Sequence, residues 1–144
     1  EAGVIILITG AGGAFGSILR SGNLGEIIEA NFSGIEVGIF LPFLLAAILK
    51  TAQGSSTVSI ITTATIIAPM MGTLGLDSEL SRALAVLAIG AGAMTVSHIN
   101  DSYFWVVSQF SGMDTKTTLK SHSLATLFQG ITAIVLLSVI QLFV

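Results

Sequence analysis

The polar stretch KTAQGSST, residues 50–57, decides how the fold is interpreted, because it lies between two apolar runs. The runs, 37–49 and 58–72, have about 13–15 residues each, so as helices they reach about 20 Å of a membrane core about 30 Å thick. Two short helices joined by a polar tip predict a re-entrant hairpin over 36–72, with its tip at 51–57. The alternative is two tilted membrane spans joined by an ordinary external loop.

The composition of the chain predicts an all-α integral membrane protein. Of its 144 residues, 53% are hydrophobic and 9% are charged, whereas soluble domains carry about 25% charged residues. The apolar residues form long blocks rather than amphipathic patterns. A net charge of −3 argues against a nucleic-acid partner. The chain has no cysteine and two widely separated histidines, so we expect no metal site and no cofactor.

Four further helical segments surround the hairpin. Residues 2–20 predict a spanning helix, and the amphipathic stretch 23–33 predicts a helix lying in the membrane interface. Residues 83–110 predict a helix broken by the polar segment 97–102, as in the discontinuous helices of secondary transporters. Residues 122–144 predict a final spanning helix. Because the chain lacks an initiator methionine and enters apolar sequence almost at once, we interpret it as a piece of a longer protein.

Two patterns that suggest an enzyme are rejected. The run VIILITGAGGAFG, residues 4–16, resembles a dinucleotide-binding turn, but no βαβ alternation follows it. A glycine-rich membrane helix explains it better. Ser55, Ser56, His98 and Asp101 include the residue types of a hydrolase, yet no nucleophile-elbow pattern accompanies them. We therefore predict that the protein is not an enzyme.

The polar residues of the hairpin tip and the helix break form the predicted site, since ionisable groups at membrane depth are costly and usually functional. A hydroxylated anion needs donors for its carboxylate, together with donors and acceptors for its hydroxyls. The predicted substrate contacts are Lys50, Gln53, Gly54, Ser55, Ser56, Thr57, Asn100 and Ser102. His98 or Asp101 is predicted to take up and release a proton. In the alternative interpretation, Lys50 reaches towards the interface and the break is a loop.

Four stretches of the sequence are distinctive: ITGAGGAFG at 8–16, KTAQGSSTVS at 50–59, AIGAGAMTVSHINDSYFW at 88–105 and MDTKTTLKSHS at 113–123. Together they resemble the C-terminal half of the gluconate permease family, within the larger ion-transporter superfamily. The resemblance implies one of two inverted repeats, with a hairpin that opens to the periplasm and with Lys116 and Lys120 in the cytoplasm. It also implies a multi-pass protein of the bacterial inner membrane.

The function implied by this resemblance is proton-coupled symport of gluconate or a related sugar acid, with Na⁺ as the alternative coupling ion. The implied partners are the sugar acid, the lipid bilayer, the N-terminal repeat of the same transporter and a second copy in a homodimer. Three alternatives stay open at this point. They are transport of another hydroxy acid or of a D-amino acid such as D-serine, a non-transporting assembly subunit, and a passive channel.

Overall fold

A computed structural model describes residues 38–143 of the chain. Every regular element in this range is helical, which confirms the predicted all-α class for the described part. In chain order the elements are α1 (Phe40–Gln53), α2 (Ser56–Ile67) with a 3₁₀ turn (Ala68–Met70), α3 (Glu79–Met94), α4 (Ser102–Ser111), α5 (Thr115–Thr118), a π-helical segment (Leu119–Ser123) and α6 (Leu124–Gln141). The helices predicted at 2–20 and 23–33 lie outside the described residues.

Helices α1 and α2 form a hairpin whose turn consists of Gly54 and Ser55. Gly54 has a φ of 74°, and its N–H donates to the carbonyl of Lys50 at 2.8 Å, a common way to end a helix. Ser55 caps α2, because its hydroxyl oxygen accepts a backbone N–H of the first turn at 3.3 Å. Both helices therefore extend into the predicted tip of 51–57. The re-entrant placement of the hairpin in a membrane stays a prediction.

Helix α3 lies at the centre of the described structure, in contact with α1, α2 and α6. Small residues on α3 let these neighbours approach closely. A Cβ on Gly92 would overlap the carbonyl oxygen of Phe43 on α1 and lie 2.9 Å from the Cβ of Ala46. The larger buried side chains around α3 form an apolar core of Ile39, Leu76, Leu84, Ile134 and Leu137. The position of α1 against α3 is thus fixed by close backbone packing.

The chain between α3 and α4 is not helical over residues 95–101. The sequence predicted this break at 97–102, so the observed one begins two residues earlier and ends one residue earlier. Val96 has a φ of 52°, the one positive φ of a non-glycine residue within 38–143. A β-branched residue rarely adopts this conformation, so the surrounding contacts must hold it there. Asp101 begins α4 as its N-cap by accepting the N–H of Tyr103. Ser102, assigned to the break by the sequence, is the first residue of α4.

The last helical stretch is continuous from Thr115 to Gln141 and has 27 residues. Among the described residues it is the one helix that is long and apolar enough to cross a membrane. Its beginning lies before the span predicted at 122–144, because Asp114 caps α5 by accepting the N–H of Thr117 at 2.9 Å. Hydrogen bonds from the Thr117 side chain and backbone hold the pKa of the exposed Asp114 carboxyl below its usual value. This cap therefore keeps its charge as the pH falls to the ordinary aspartate range.

Candidate functional site

Lys50 and Asp101 form a buried ion pair that joins the hairpin turn to the interruption between α3 and α4. The Nζ of Lys50, in the last turn of α1, lies 2.6 Å from the Oδ2 of Asp101. The two residues are 2% and 4% exposed, and theirs is the one ion pair within residues 38–143. A buried charge without a partner is strongly destabilising. Removal of either charge would therefore leave the other one buried without a counter-charge.

Both members of the pair make further hydrogen bonds. The Asp101 carboxylate accepts the hydroxyl of Ser97 at Oδ2 and the N–H of Tyr103 at Oδ1, the latter at 3.0 Å. The ammonium group of Lys50 also donates to the carbonyl of Gly54 at 3.3 Å. In a low-dielectric environment such a network strengthens each of its bonds. The arrangement thus holds a charged lysine and a charged aspartate away from water.

Side chains from the interruption also form hydrogen bonds to the free backbone carbonyls at the C-terminal end of α1. The last carbonyls of a helix have no partner within that helix. The amide of Asn100 donates to the carbonyl of Thr51 at 2.8 Å and to that of Ala52 at 3.4 Å. The Nε2 of His98 lies 3.1 Å from the same Thr51 oxygen, and because a carbonyl can only accept, this nitrogen is the donor. The hairpin turn and the interruption therefore form one connected polar site.

Gly54 sets how closely the two parts of this site approach. A Cβ at this position would overlap the backbone carbonyl of Asn100, and the φ of 74° is itself unfavourable for other residues. We expect Gly54→Ala to lower the free energy of unfolding in detergent, measured by denaturant titration. Gly75→Ala is the matched control, since Gly75 has a φ of 68° but nothing within 4 Å of a Cβ.

Both glycine variants bear the conformational cost of a positive φ, about 1–2 kcal/mol. Only Gly54→Ala adds the overlap with Asn100, which we expect to cost about 1–3 kcal/mol more. Equal losses of stability in the two variants would contradict the close approach of the turn to the interruption.

Comparison with known proteins identifies the family of the chain. A sequence model of the GntP family permeases matches residues 1–143. The chain belongs to the GntP permease family. It is 37% identical to a gluconate permease of Bacillus subtilis over 125 residues, which are 86% of this chain and 27% of that protein. It is 38% identical to the D-serine transporter DsdX of Escherichia coli over 131 residues, 90% of this chain and 29% of that protein.

A gluconate permease of Pseudomonas aeruginosa is also 38% identical over 118 residues, 81% of this chain and 26% of that protein. The chain thus spans less than a third of the length of these relatives. No solved structure matches it. Permeases are membrane proteins and not enzymes, so the family confirms both the resemblance seen in the sequence and the rejection of a hydrolase.

The predicted site residues of this chain differ in how far they are exposed. Lys50, Gly54 and Asp101 are buried in the contact between turn and interruption, while Ser55, Ser56 and His98 are half-buried. Gln53, Thr57, Asn100 and Ser102 are exposed. The structure therefore brings the tip and the break together, as a shared site requires. Whether these residues contact substrate or carry a proton stays a prediction.

Sequence reasoning missed the pairing of Lys50 with Asp101 and the part played by Ser97. The pairing had a signal, since these two residues of opposite charge each lie next to long apolar stretches of the permease sequence and a buried charge needs a partner. Ser97 had none. Its N–H donates to the Oγ1 of Thr126 at 3.0 Å, and its carbonyl accepts the hydroxyl of Ser123. These contacts with the last helical stretch depend on the folded chain.

Proposed function

We propose that this chain is the C-terminal part of a secondary active transporter that imports gluconate or a related hydroxycarboxylate together with protons across a bacterial inner membrane. The observation that carries the proposal is the buried Lys50–Asp101 pair, which lies where the hairpin turn contacts the interruption between α3 and α4. Ionisable groups at such a position in a membrane protein are typical of substrate and proton sites. Relatives named gluconate permease support this substrate class, and the relative named D-serine transporter supplies the alternative.

The polar groups of the site suit a hydroxylated anion. The exposed side chains of Gln53, Thr57 and Ser102 offer donors and acceptors for hydroxyl groups. Asn100 uses its amide N–H groups on α1, so its side-chain oxygen is the group left to accept from substrate. The Lys50 ammonium is the cation for the carboxylate. Because Lys50 is 2% exposed, the turn must move away from the interruption before substrate reaches it.

Proton coupling is assigned to Asp101, with His98 as the alternative. Asp101 is the acidic group of the site, and protonation would release it from Lys50. His98 instead forms a hydrogen bond with a backbone carbonyl of α1. If the coupling ion were Na⁺, the same carboxylate would be its natural ligand, since hard cations prefer oxygen. In this proposal α1 and α2 are a re-entrant hairpin of one inverted repeat. The N-terminal repeat supplies the rest of the site, and the hairpin-bearing bundle shifts like an elevator.

The test is uptake of labelled gluconate by proteoliposomes that contain the complete permease. We expect an imposed inward proton gradient to drive accumulation above the external concentration, and an uncoupler to abolish it. Vesicles without protein are the control, and excess unlabelled D-serine reports on the alternative substrate. Equilibration without accumulation would indicate a passive channel. No uptake of gluconate or D-serine by folded protein would favour a non-transporting subunit and would overturn the proposal.

A further inference from the structure

The charges within the described site sum to zero. Lys50 contributes one positive charge and Asp101 one negative charge, and both are buried. The other charged residues within 38–143 are exposed: Asp77, Glu79, Arg82, Asp114, Lys116 and Lys120. An unbalanced charge in a low-dielectric environment costs several kcal/mol. A site that moves relative to the membrane therefore favours states in which its net charge stays zero.

We propose that the Lys50–Asp101 pair makes transport of a monocarboxylate electroneutral, with one proton entering for each anion. This inference rests on the proposed function and adds its stoichiometry. In the empty state, Lys50 is neutralised by Asp101. In the loaded state, the substrate carboxylate takes the place of Asp101 at the Lys50 ammonium, and Asp101 binds one proton. The described part of the site is then neutral in both states, because the anion and the proton enter together.

The exchange balances as an acid–base step. The Asp101 carboxylate and a proton from the side of substrate entry give the carboxylic acid, and the Lys50 ammonium keeps all its protons. Protonated Asp101 keeps an oxygen that accepts the N–H of Tyr103, so α4 retains its cap. The hydroxyl of Ser97, now a donor to Oδ2, can accept from the acid instead, because a hydroxyl both donates and accepts.

Two histidines contact the elements that carry the pair and must be included in any pH dependence. His98 bonds to the carbonyl of Thr51. The ring of His122 lies against Tyr103 and Phe104 of α4, with centroids 5.7 and 6.4 Å apart. Of the helices packed around the turn, α2 contributes no titratable residue. Neither histidine takes part in the Lys50–Asp101 ion pair, so the proposed exchange does not need their titration.

The substrate's own charge gives a second consequence of the same balance. An amino acid such as D-serine enters as a zwitterion, with a carboxylate for Lys50 and an ammonium group that adds a positive charge. Because this ammonium group can pair with the Asp101 carboxylate, a site loaded with a zwitterion is neutral without a proton. The proposed balance predicts that a proton accompanies gluconate but not a zwitterion, and that uptake of neither substrate responds to the membrane potential.

The experiment imposes the two driving forces separately on proteoliposomes that contain the complete permease. A proton gradient of one pH unit at zero potential should accumulate gluconate about tenfold at one proton per anion. A potassium diffusion potential of about 120 mV, inside negative and with equal pH, would accumulate a substrate about 100-fold if one net charge moved inward. We expect no accumulation of gluconate from the potential alone. An internal pH dye should record one proton per labelled gluconate.

The outcomes separate this inference from the proposed function. Accumulation of gluconate by the potential alone, or two protons per gluconate, would overturn the electroneutral exchange and leave proton symport standing. For D-serine, uptake without a proton and independent of the potential supports the inference, and potential-driven uptake overturns it. Absence of gluconate accumulation under either driving force overturns both the inference and the proposed function.

The Asp101→Asn variant tests whether the charge balance of the site depends on Asp101. Asp101→Asn leaves the empty site with the positive charge of Lys50, while the site loaded with gluconate is neutral. We expect exchange of labelled for unlabelled gluconate across this variant to persist. Net uptake should become slower by tenfold or more when the inside is negative, because the empty positive site must then return against the potential. Asp77→Asn, at an exposed position, is the matched control. If net uptake by Asp101→Asn were as independent of potential as that of the control, the proposed balance would be wrong.

Discussion

Asp101→Asn is expected to abolish gradient-driven accumulation of gluconate by the complete permease, so that under a gradient of one pH unit the internal concentration falls from about tenfold above the external one to no more than the external one. Asparagine has nearly the shape of aspartate, and its side-chain oxygen can accept from Lys50 or from the N–H of Tyr103, as the carboxylate does. It cannot bind and release a proton. The variant therefore removes the proposed proton site while keeping most of the hydrogen bonds around it.

The measurement compares two assays on the same vesicles. Accumulation driven by a pH gradient requires proton coupling, whereas exchange of labelled for unlabelled gluconate requires only binding and movement of the loaded site. We expect Asp101→Asn to lose the first and keep the second within about tenfold. The exposed Asp77→Asn variant should retain both. Accumulation at full rate in Asp101→Asn would transfer the proton role to His98, which His98→Gln would then test in the same two assays.

The helices of the described region were largely predictable from the sequence, because their signals are local. Apolar runs on both sides of residues 50–57 predicted two short helices, and the polar segment 97–102 predicted an interruption. The exact turn was not predictable to the residue. Gly54 and Ser55 cap the two helices from adjacent positions, so the polar residues on either side of them are helical rather than part of a loop.

The geometry of the site was less predictable, because it depends on contacts between distant parts of the chain. Lys50 and Asp101 were each identified as unusual charges in apolar surroundings, yet 51 positions separate them. What brings them together is the close approach of Gly92 to Phe43 and of Gly54 to Asn100. A glycine in the sequence does not say which backbone will lie against it. The left-handed conformation of Val96 has no local signal either.

Lys50→Met is expected to be the most destabilising single change in the described site. Methionine has a similar length and fills the buried space, but it leaves the Asp101 carboxylate without its counter-charge. Removal of one partner from a buried ion pair typically costs about 3–5 kcal/mol. Unfolding of the complete permease in mixed micelles, followed by denaturant titration at neutral pH, measures this loss. Repeating the titration at lower pH should shrink the loss, since protonation of Asp101 removes the unpaired charge.

The double variant Lys50→Met with Asp101→Asn separates the stability of the site from its function. It contains no buried charge, so we expect it to recover at least half of the stability lost in Lys50→Met, a coupling of about 2 kcal/mol or more. Simple addition of the two single losses would mean that the pair contributes no coupling in the folded protein. The recovered protein should still fail to bind or exchange gluconate, because no cation faces the carboxylate. A double variant that is stable and exchanges gluconate normally would make the pair a structural contact alone, and the substrate's counter-charge would have to come from another part of the transporter.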